Sequence, residues 1–271
     1  MATTPGWVWA AVGTGLHRID PITGSVDFTI DLPSIRKANI EVDDGALWII
    51  HGMTLTRVDP ETAAVTGTIG LSPWIEGGTR PLGVTPDGVW VAAESRLLRI
   101  DKDDMGVAEE LPLALTPSGL AVGADSVWAL VGQSVLRIDP ATLEIVAAVP
   151  LPGTVFHPAI GTPLTYGQDT LWISAGGLSR LDPATNEASI IVDDPECCGP
   201  IALGFAGEAV IACGLLDKDI VLVDRDTGEV ESIFTPSTGV FAIEGDPDGL
   251  WAAAPRSGML YRFDLSTEQQ P

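Results

Sequence analysis

The chain has 271 residues, 45% of them hydrophobic, and sets 14 basic against 37 acidic residues for a formal net charge of −23. That length and apolar content allow a sizeable core in one domain spanning residues 1–271, and the scarcity of Lys and Arg argues against nucleic acid or anionic membrane as partner. No run of about 18 apolar residues and no charged-then-apolar leader occurs, so neither membrane insertion nor a signal peptide is expected; a cytoplasmic location is the reading as written, a mature extracytoplasmic domain the alternative.

The predicted elements repeat along the chain. The first repeat opens with Met1–Thr4 as a short inner strand, continues through Trp9, and ends a third strand at Arg18 and Asp20 before the turn "DPITG". The second carries Glu41, Trp48, the loop "HGMT" with His51, and Arg57–Asp59. The third is the clearest unit: "PLGVT" is an apolar strand, "PDG" a tight turn, and "VWVAA" and "LLRID" are β-rich runs joined across Glu94, Ser95 and Arg96. A polar turn then leads to "VAEELPL". The fourth and fifth repeats present Trp128 with Asp139 and Trp172 with Asp182; the sixth has Val210 where the others have Trp; the seventh has Glu244, Trp251, Arg262 and Asp264.

Closing aspartates Asp20, Asp59, Asp101, Asp139, Asp182, Asp224 and Asp264 are spaced by 39, 42, 38, 43, 42 and 40 residues. A period of about 41 residues is that of one four-stranded propeller blade. The chain is therefore expected to be all-β, a seven-bladed β-propeller of four-stranded antiparallel blades. The last blade is expected to be incomplete, because "STEQQP" makes a poor outer strand. It should be three-stranded or completed by the N-terminus, and its uncovered edge invites dimerisation. Arg18, Arg57, Arg99, Arg137, Arg180 and Arg262 each lie two residues before a closing aspartate, on the same face of the third strand. A pair repeated in six blades is scaffold, as are the tryptophans, expected to pack between blades, and the aspartates, expected to cap their own turns.

The entries "PDGVW" and "ADSVW", the strands "LLRID" and "VLRIDP" and the exit "LPL" resemble those of virginiamycin B lyase-like and YVTN-repeat propellers. The resemblance covers nearly the whole chain and implies the seven-bladed fold and a lyase-type activity. Where that lyase family reads Trp-x-x-Glu, this chain has Val12, His51, Ala93, Val131, Ala175 or Ala254 in the fourth place.

Function is expected in variable loops on a rigid scaffold. In a propeller, the loops from fourth strand to next blade and from second to third strand emerge at one end, and here they differ in every blade. Setting the six scaffold arginines aside leaves Arg36, Lys37, Arg80, Arg96, Lys102, Lys218, Arg225 and Arg256, of which all but Lys102 and Arg225 lie in those loops. In so acidic a chain this points to a small anionic molecule, held by Arg36, Arg80, Arg96 and Arg256 with Trp74. His51, His157 and Glu94 are the acid/base candidates if the protein is a lyase or hydrolase. The alternative is a non-catalytic binding or protein-interaction module. Glu41 and Glu244 occupy equivalent inner-strand positions and are candidate ligands for a divalent cation. Three cysteines exclude a disulfide framework. A vicinal Cys197–Cys198 bridge, a bridge from either to Cys213, a soft-metal site and three reduced thiols are the alternatives for them.

Overall fold

The computed structural model describes residues 1–271 except 36–37, 44, 73–79, 153–162, 175–176, 194–201, 207–208, 214–219, 235–239, 241, 247–248, 255–258 and 265–271. The described residues form strands, turns and bends, and none of them is in an α-helix. The first sheet contains β1 (Ala2–Thr4), β2 (Trp7–Val12), β3 (Gly15–Ile19) and β4 (Val26–Asp31). The second contains β5 (Asn39–Asp43), β6 (Ala46–His51), β7 (Thr54–Val58) and β8 (Val65–Gly70). The third contains β9 (Leu82–Thr85), β10 (Gly88–Ala93), β11 (Arg96–Ile100) and β12 (Val107–Pro112). The fourth contains β13 (Gly119–Gly123), β14 (Ser126–Val131), β15 (Ser134–Ile138) and β16 (Ile145–Pro150). The fifth contains β17 (Leu164–Gly167), β18 (Thr170–Ser174), β19 (Leu178–Asp182) and β20 (Glu187–Val192). The sixth contains β21 (Ala202–Ala206), β22 (Ala209–Cys213), β23 (Ile220–Val223) and β24 (Val230–Phe234). Last come β25 (Ala242–Asp246), β26 (Gly249–Ala254) and β27 (Met259–Asp264).

Each sheet is antiparallel with its strands in sequence order. This is the blade pattern of a β-propeller, six times complete and once, among the described residues, three-stranded. The N-terminal β1 is the inner strand of the first sheet and does not complete the last one. The chain falls into two compact units, Met1–Val131 with Ile138–Val146, and Gly132–Arg137 with Ala147–Pro271. In the first, the inner strands β1, β5, β9 and β13 are successive neighbours; in the second, β17, β21 and β25 are.

Cross-strand register explains the repeated residues. Trp9, Trp48, Trp90, Trp172 and Trp251 each face the arginine two residues before the closing aspartate. The first three, with Trp128, are fully buried. Trp9 packs with Ile40, Leu47 and Ile49 of the second sheet, and Trp48 with Leu82, Val89 and Val91 of the third. The tryptophans thus fill the space between blades, where a large ring removes the most apolar surface from water. In the sixth sheet Ile211, not Val210, occupies the tryptophan position: it faces Leu222 and Gly204, whereas Val210 faces Val223 and Phe205. The Trp-to-Asp spacing of 11 in the first four repeats becomes 13 from Ile211 to Asp224, as it does from Trp251 to Asp264. The lengthened connection shifts the alignment by one. Blade six thereby lacks both members of the Trp–Arg pair.

The arginine and aspartate of each repeat do separate jobs. The Asp carboxylate accepts amide hydrogens two and three residues on, as Asp20 does from Ile22 and Thr23 and Asp139 from Ala141 and Thr142. In the turns of Asp20, Asp59, Asp139, Asp182 and Asp224 the amide four residues on donates to the Asp carbonyl. That residue is left-handed throughout: Gly24, Ala63, Met105, Leu143, Asn186 and Gly228 have φ of 57–74°. The arginine instead reaches forward. Arg18, Arg57, Arg99, Arg137 and Arg180 donate to the carbonyls of Pro60, Lys102, Pro140, Pro183 and Arg225, each the residue after the next blade's closing aspartate. Each capped turn is therefore the receptor for the preceding blade's arginine.

Candidate functional site

The loop end of the first unit is assembled by contacts between the loops expected to share it. Arg80, just before β9, forms an ion pair with Glu94 in the β10–β11 turn. The His51 ring, at the end of β6, reaches the Pro33 carbonyl in the β4–β5 connection. Lys102 lies at the opposite end, 2.8 Å from Asp43 in the β5–β6 turn. The division of loops between two ends follows.

The candidates on that end are engaged within the protein. The Arg80 side chain is 12% exposed and held by Glu94, and its carbonyl accepts from Asn39 at 2.6 Å. Arg96 pairs with Glu110 at 2.7 Å and donates to the Glu94 carbonyl. Glu94 is thus paired with Arg80, with its side chain 49% exposed. His51 is buried at 3% exposure. Because a carbonyl only accepts, Nδ1 donates to Pro33 at 2.7 Å, and Nε2 meets the fully buried Thr56 hydroxyl at 2.8 Å. With both ring nitrogens bonded, the buried His51 links a loop to a strand. Sequence reasoning missed Thr56 and Glu110. The available signal was strand register, which sets Thr56 opposite Ile49 and Glu110 opposite Leu98 on strands next to the loop end.

Arg36, Trp74, His157, Arg256, Cys197 and Cys198 lie outside the described residues. Cys213 ends β22, its backbone paired between Ala202 and Ile220. Glu41 faces Trp48 and Glu244 faces Trp251, so both hold the inner-strand position expected of them. Their counterparts are Gly83, Ala121, Thr165 and, in the sixth sheet, Gly204. Among the described residues no group of three or more His, Cys, Asp or Glu is placed to hold a metal ion.

In the capped turns, five closing aspartates, Asp20, Asp59, Asp101, Asp139 and Asp224, are held below the usual carboxylate range. The leading cause in each is the amide three residues on, from Thr23, Thr62, Asp104, Thr142 and Thr227. For Asp43, burial pushes upward, but hydrogen bonds from Lys102 and the Trp48 indole outweigh it and the net shift is downward.

No protein-family model matches the chain, and no curated protein matches it. Solved structures do. The chain is similar to BamB from Moraxella catarrhalis at 16% identity and a TM-score of 0.60, over 95% of this chain and 84% of that one. It is similar to the Pan2 WD40 domain of Neurospora crassa at 12% identity and a TM-score of 0.72, over 97% and 86%. Likeness at such identity establishes the fold class, a β-propeller, and nothing finer. The virginiamycin B lyase-like resemblance is carried no further than that fold.

Proposed function

We propose that the chain is a seven-bladed propeller, with β25–β27 as its seventh blade, and that it serves as a non-catalytic binding module. The observation that carries this reading is the engagement of the loop end: Arg80 and Arg96 each hold a carboxylate, Glu94 is taken by Arg80, and His51 has both nitrogens in use. An enzyme of this fold needs convergent groups held ready for a substrate; a scaffold for partners needs a rigid body with variable edges and loops. The competing reading is a small-anion site, with or without lyase or hydrolase chemistry, built from Arg36, Arg80, Arg96, Arg256, Trp74 and His157.

The test is a thermal-shift and calorimetric screen of carboxylates and phosphates against the wild type, Arg80→Ala, Arg256→Ala and, as the turn-end control, Arg225→Ala. The module reading expects no saturable binding. A ligand bound by the wild type and Arg225→Ala but weakened about tenfold or more by Arg80→Ala and Arg256→Ala overturns it.

A further inference from the structure

Repetition supplies an internal control: a residue that every blade needs recurs, and one that does not recur answers another demand. Exposed aliphatic residues at the start of the fourth strand recur as Val26, Val65, Ile145 and Val230, so they belong to the repeat. Three large apolar residues of the first blade do not recur. Trp7 stands two residues before Trp9, where the other blades have Ala46, Gly88, Ser126, Thr170, Ala209 and Gly249. Ile22 stands two residues after the closing aspartate, where five others have Glu61, Asp103, Ala141, Ala184 and Asp226. Phe28 lies opposite Arg18, whereas Gly67, Glu109 and Ser189 lie opposite Arg57, Arg99 and Arg180.

All three fall at one corner of the first unit, around Arg18. Trp7 opens β2, and its ring centre lies 4.4 Å from the Arg18 guanidinium. The Ile22 amide donates to Asp20, two residues past Arg18. Strand β4 bulges opposite Arg18 and Ile19, which leaves Asp27 as an extra residue between their partners Phe28 and Val26. In the third blade the residue opposite the arginine, Glu109, forms its ion pair; here the bulged Asp27 forms that pair and the opposite position goes to Phe28. Ile22 is 92% exposed and Phe28 47%, with Trp7 half-buried. Side chains so exposed add little to the core, and large apolar residues grouped in water mark a binding surface where a single one would not. Carboxylates border the corner: Asp20 and Asp27 from the first blade, and from the second Glu61, whose carbonyl accepts from Arg18. Arg18, the cation among them, is 12% exposed and held by Asp27 and two carbonyls. With a net charge of −23, a second copy or an anionic membrane meets repulsion here, and a cationic partner attraction.

We propose that the corner formed by Trp7, Ile22 and Phe28 docks a short basic segment of a partner polypeptide. An aliphatic or aromatic side chain of that segment packs against Ile22 and Phe28, and flanking Lys or Arg residues meet Asp27 and Glu61. Apolar surface removed from water supplies affinity, and the carboxylates supply selectivity and speed of encounter. This rests on the module reading and names its surface. Anion binding at the loop end would refute the module reading alone; a failed selection at this corner would refute the docking surface alone.

The test is selection of a random dodecapeptide display library on the wild type, after depletion on an Ile22→Ser/Phe28→Ser double variant whose fold is checked by its melting temperature. Both substitutions fall at exposed positions, where changes leave a fold largely undisturbed. The recovered peptides are expected to carry Lys or Arg on both sides of an aliphatic or aromatic residue. Fluorescein-labelled copies should bind the wild type saturably in anisotropy, and about tenfold more weakly when Phe28→Ser or Glu61→Lys is the target. Rising salt should weaken them as well. No enrichment, recovered peptides without basic residues, or equal binding by both single variants overturns the proposal. So does flotation with phosphatidylserine-containing vesicles that Phe28→Ser abolishes, which would make a membrane the occupant. A dimer dispersed by Phe28→Ser overturns it too, because the occupant would then be a second copy.

Discussion

Arg18 should be the most sensitive of the inter-blade arginines. One Nη donates to the Pro60 carbonyl at 3.2 Å and the Glu61 carbonyl at 2.5 Å. Nε and the other Nη hold Asp27, and the guanidinium lies 4.4 Å from the Trp7 ring centre. A charged donor on a backbone carbonyl contributes about 1.5–3 kcal/mol, and because both carbonyls share one nitrogen they count nearly once. Stacking on Trp7 adds about 0.5–1 kcal/mol. The Asp27 side chain is 40% exposed, so that ion pair adds no more than about 1 kcal/mol after screening. Arg18→Ala should then cost about 3 kcal/mol, a melting-temperature loss of roughly 5–10 °C. Arg57→Ala, which loses one carbonyl bond and a Trp48 contact at 5.4 Å, should cost about 2 kcal/mol. Asp27→Ala should cost less than about 1 kcal/mol. Arg18→Lys should recover less than half of the loss, since an ammonium cannot bridge two carbonyls, an acid and a ring at once. Urea unfolding followed by tryptophan fluorescence reads all four. A loss for Arg18→Ala below about 0.5 kcal/mol, or full rescue by Lys, would refute the latch.

Two further outcomes follow from comparing blades. Trp9, Trp48, Trp90 and Trp128 donate their indole N–H to Thr4, Asp43, Thr85 and the Gly123 carbonyl, in each case five residues back; the Trp172 Nε1 is buried without a partner. Gly167 holds the corresponding position, and Gly167→Thr should raise stability by about 1 kcal/mol in thermal and urea melts, with no gain in a Gly167→Val control refuting nothing but an equal gain there assigning the effect to strand propensity instead. Asp139 lies below its ordinary 3.8 because the Thr142 and Ala141 amides favour its charged form. A depressed folded-state value means that its stabilisation is present above the unfolded value and is lost as pH falls through the folded one. Asp139→Asn keeps an acceptor for the turn but does not titrate, so wild-type stability relative to this variant should decline on acidification below about pH 3.8; parallel pH curves would contradict the assignment.

The scaffold was legible because its residues recur. A tryptophan, an arginine and an aspartate at constant offsets, seven times or nearly so, mark strands whose contacts every blade must make. Recurrence showed where those residues stand but not what they touch. Arg18 and Asp20 share a strand face, yet the arginine bonds forward to the next blade's turn while the aspartate bonds within its own. The alignment of the sixth repeat was also misread, at Val210, because a longer connection moved the register by one and no tryptophan remained to anchor it. Residues without repetition were harder. Arg80, Arg96 and His51 read as unassigned polar groups because their partners Glu94, Glu110, Thr56 and Pro33 come from neighbouring strands and loops, and pairing across such short hairpins leaves no periodic trace.

That contrast bears on where function can reside. Most of the repeated polar groups are bonded inside the scaffold: Arg18, Arg57, Arg99, Arg137 and Arg180 to carbonyls, the first six closing aspartates to amides, and four of the indoles to acceptors five residues back. A group so committed gives up hydrogen bonds to meet a ligand, at a cost similar to what the ligand would supply. Departures from the repeat carry no such cost. The sixth repeat has lost tryptophan and arginine together, and in β27 Leu260 and Phe263 are half-buried where their counterparts are buried. Natural sequences tend to break local consistency where another demand overrides it. On the module reading proposed above, the last two repeats, where these breaks accumulate, are, along with the corner of the first repeat formed by Trp7, Ile22 and Phe28, where a partner is expected to bind.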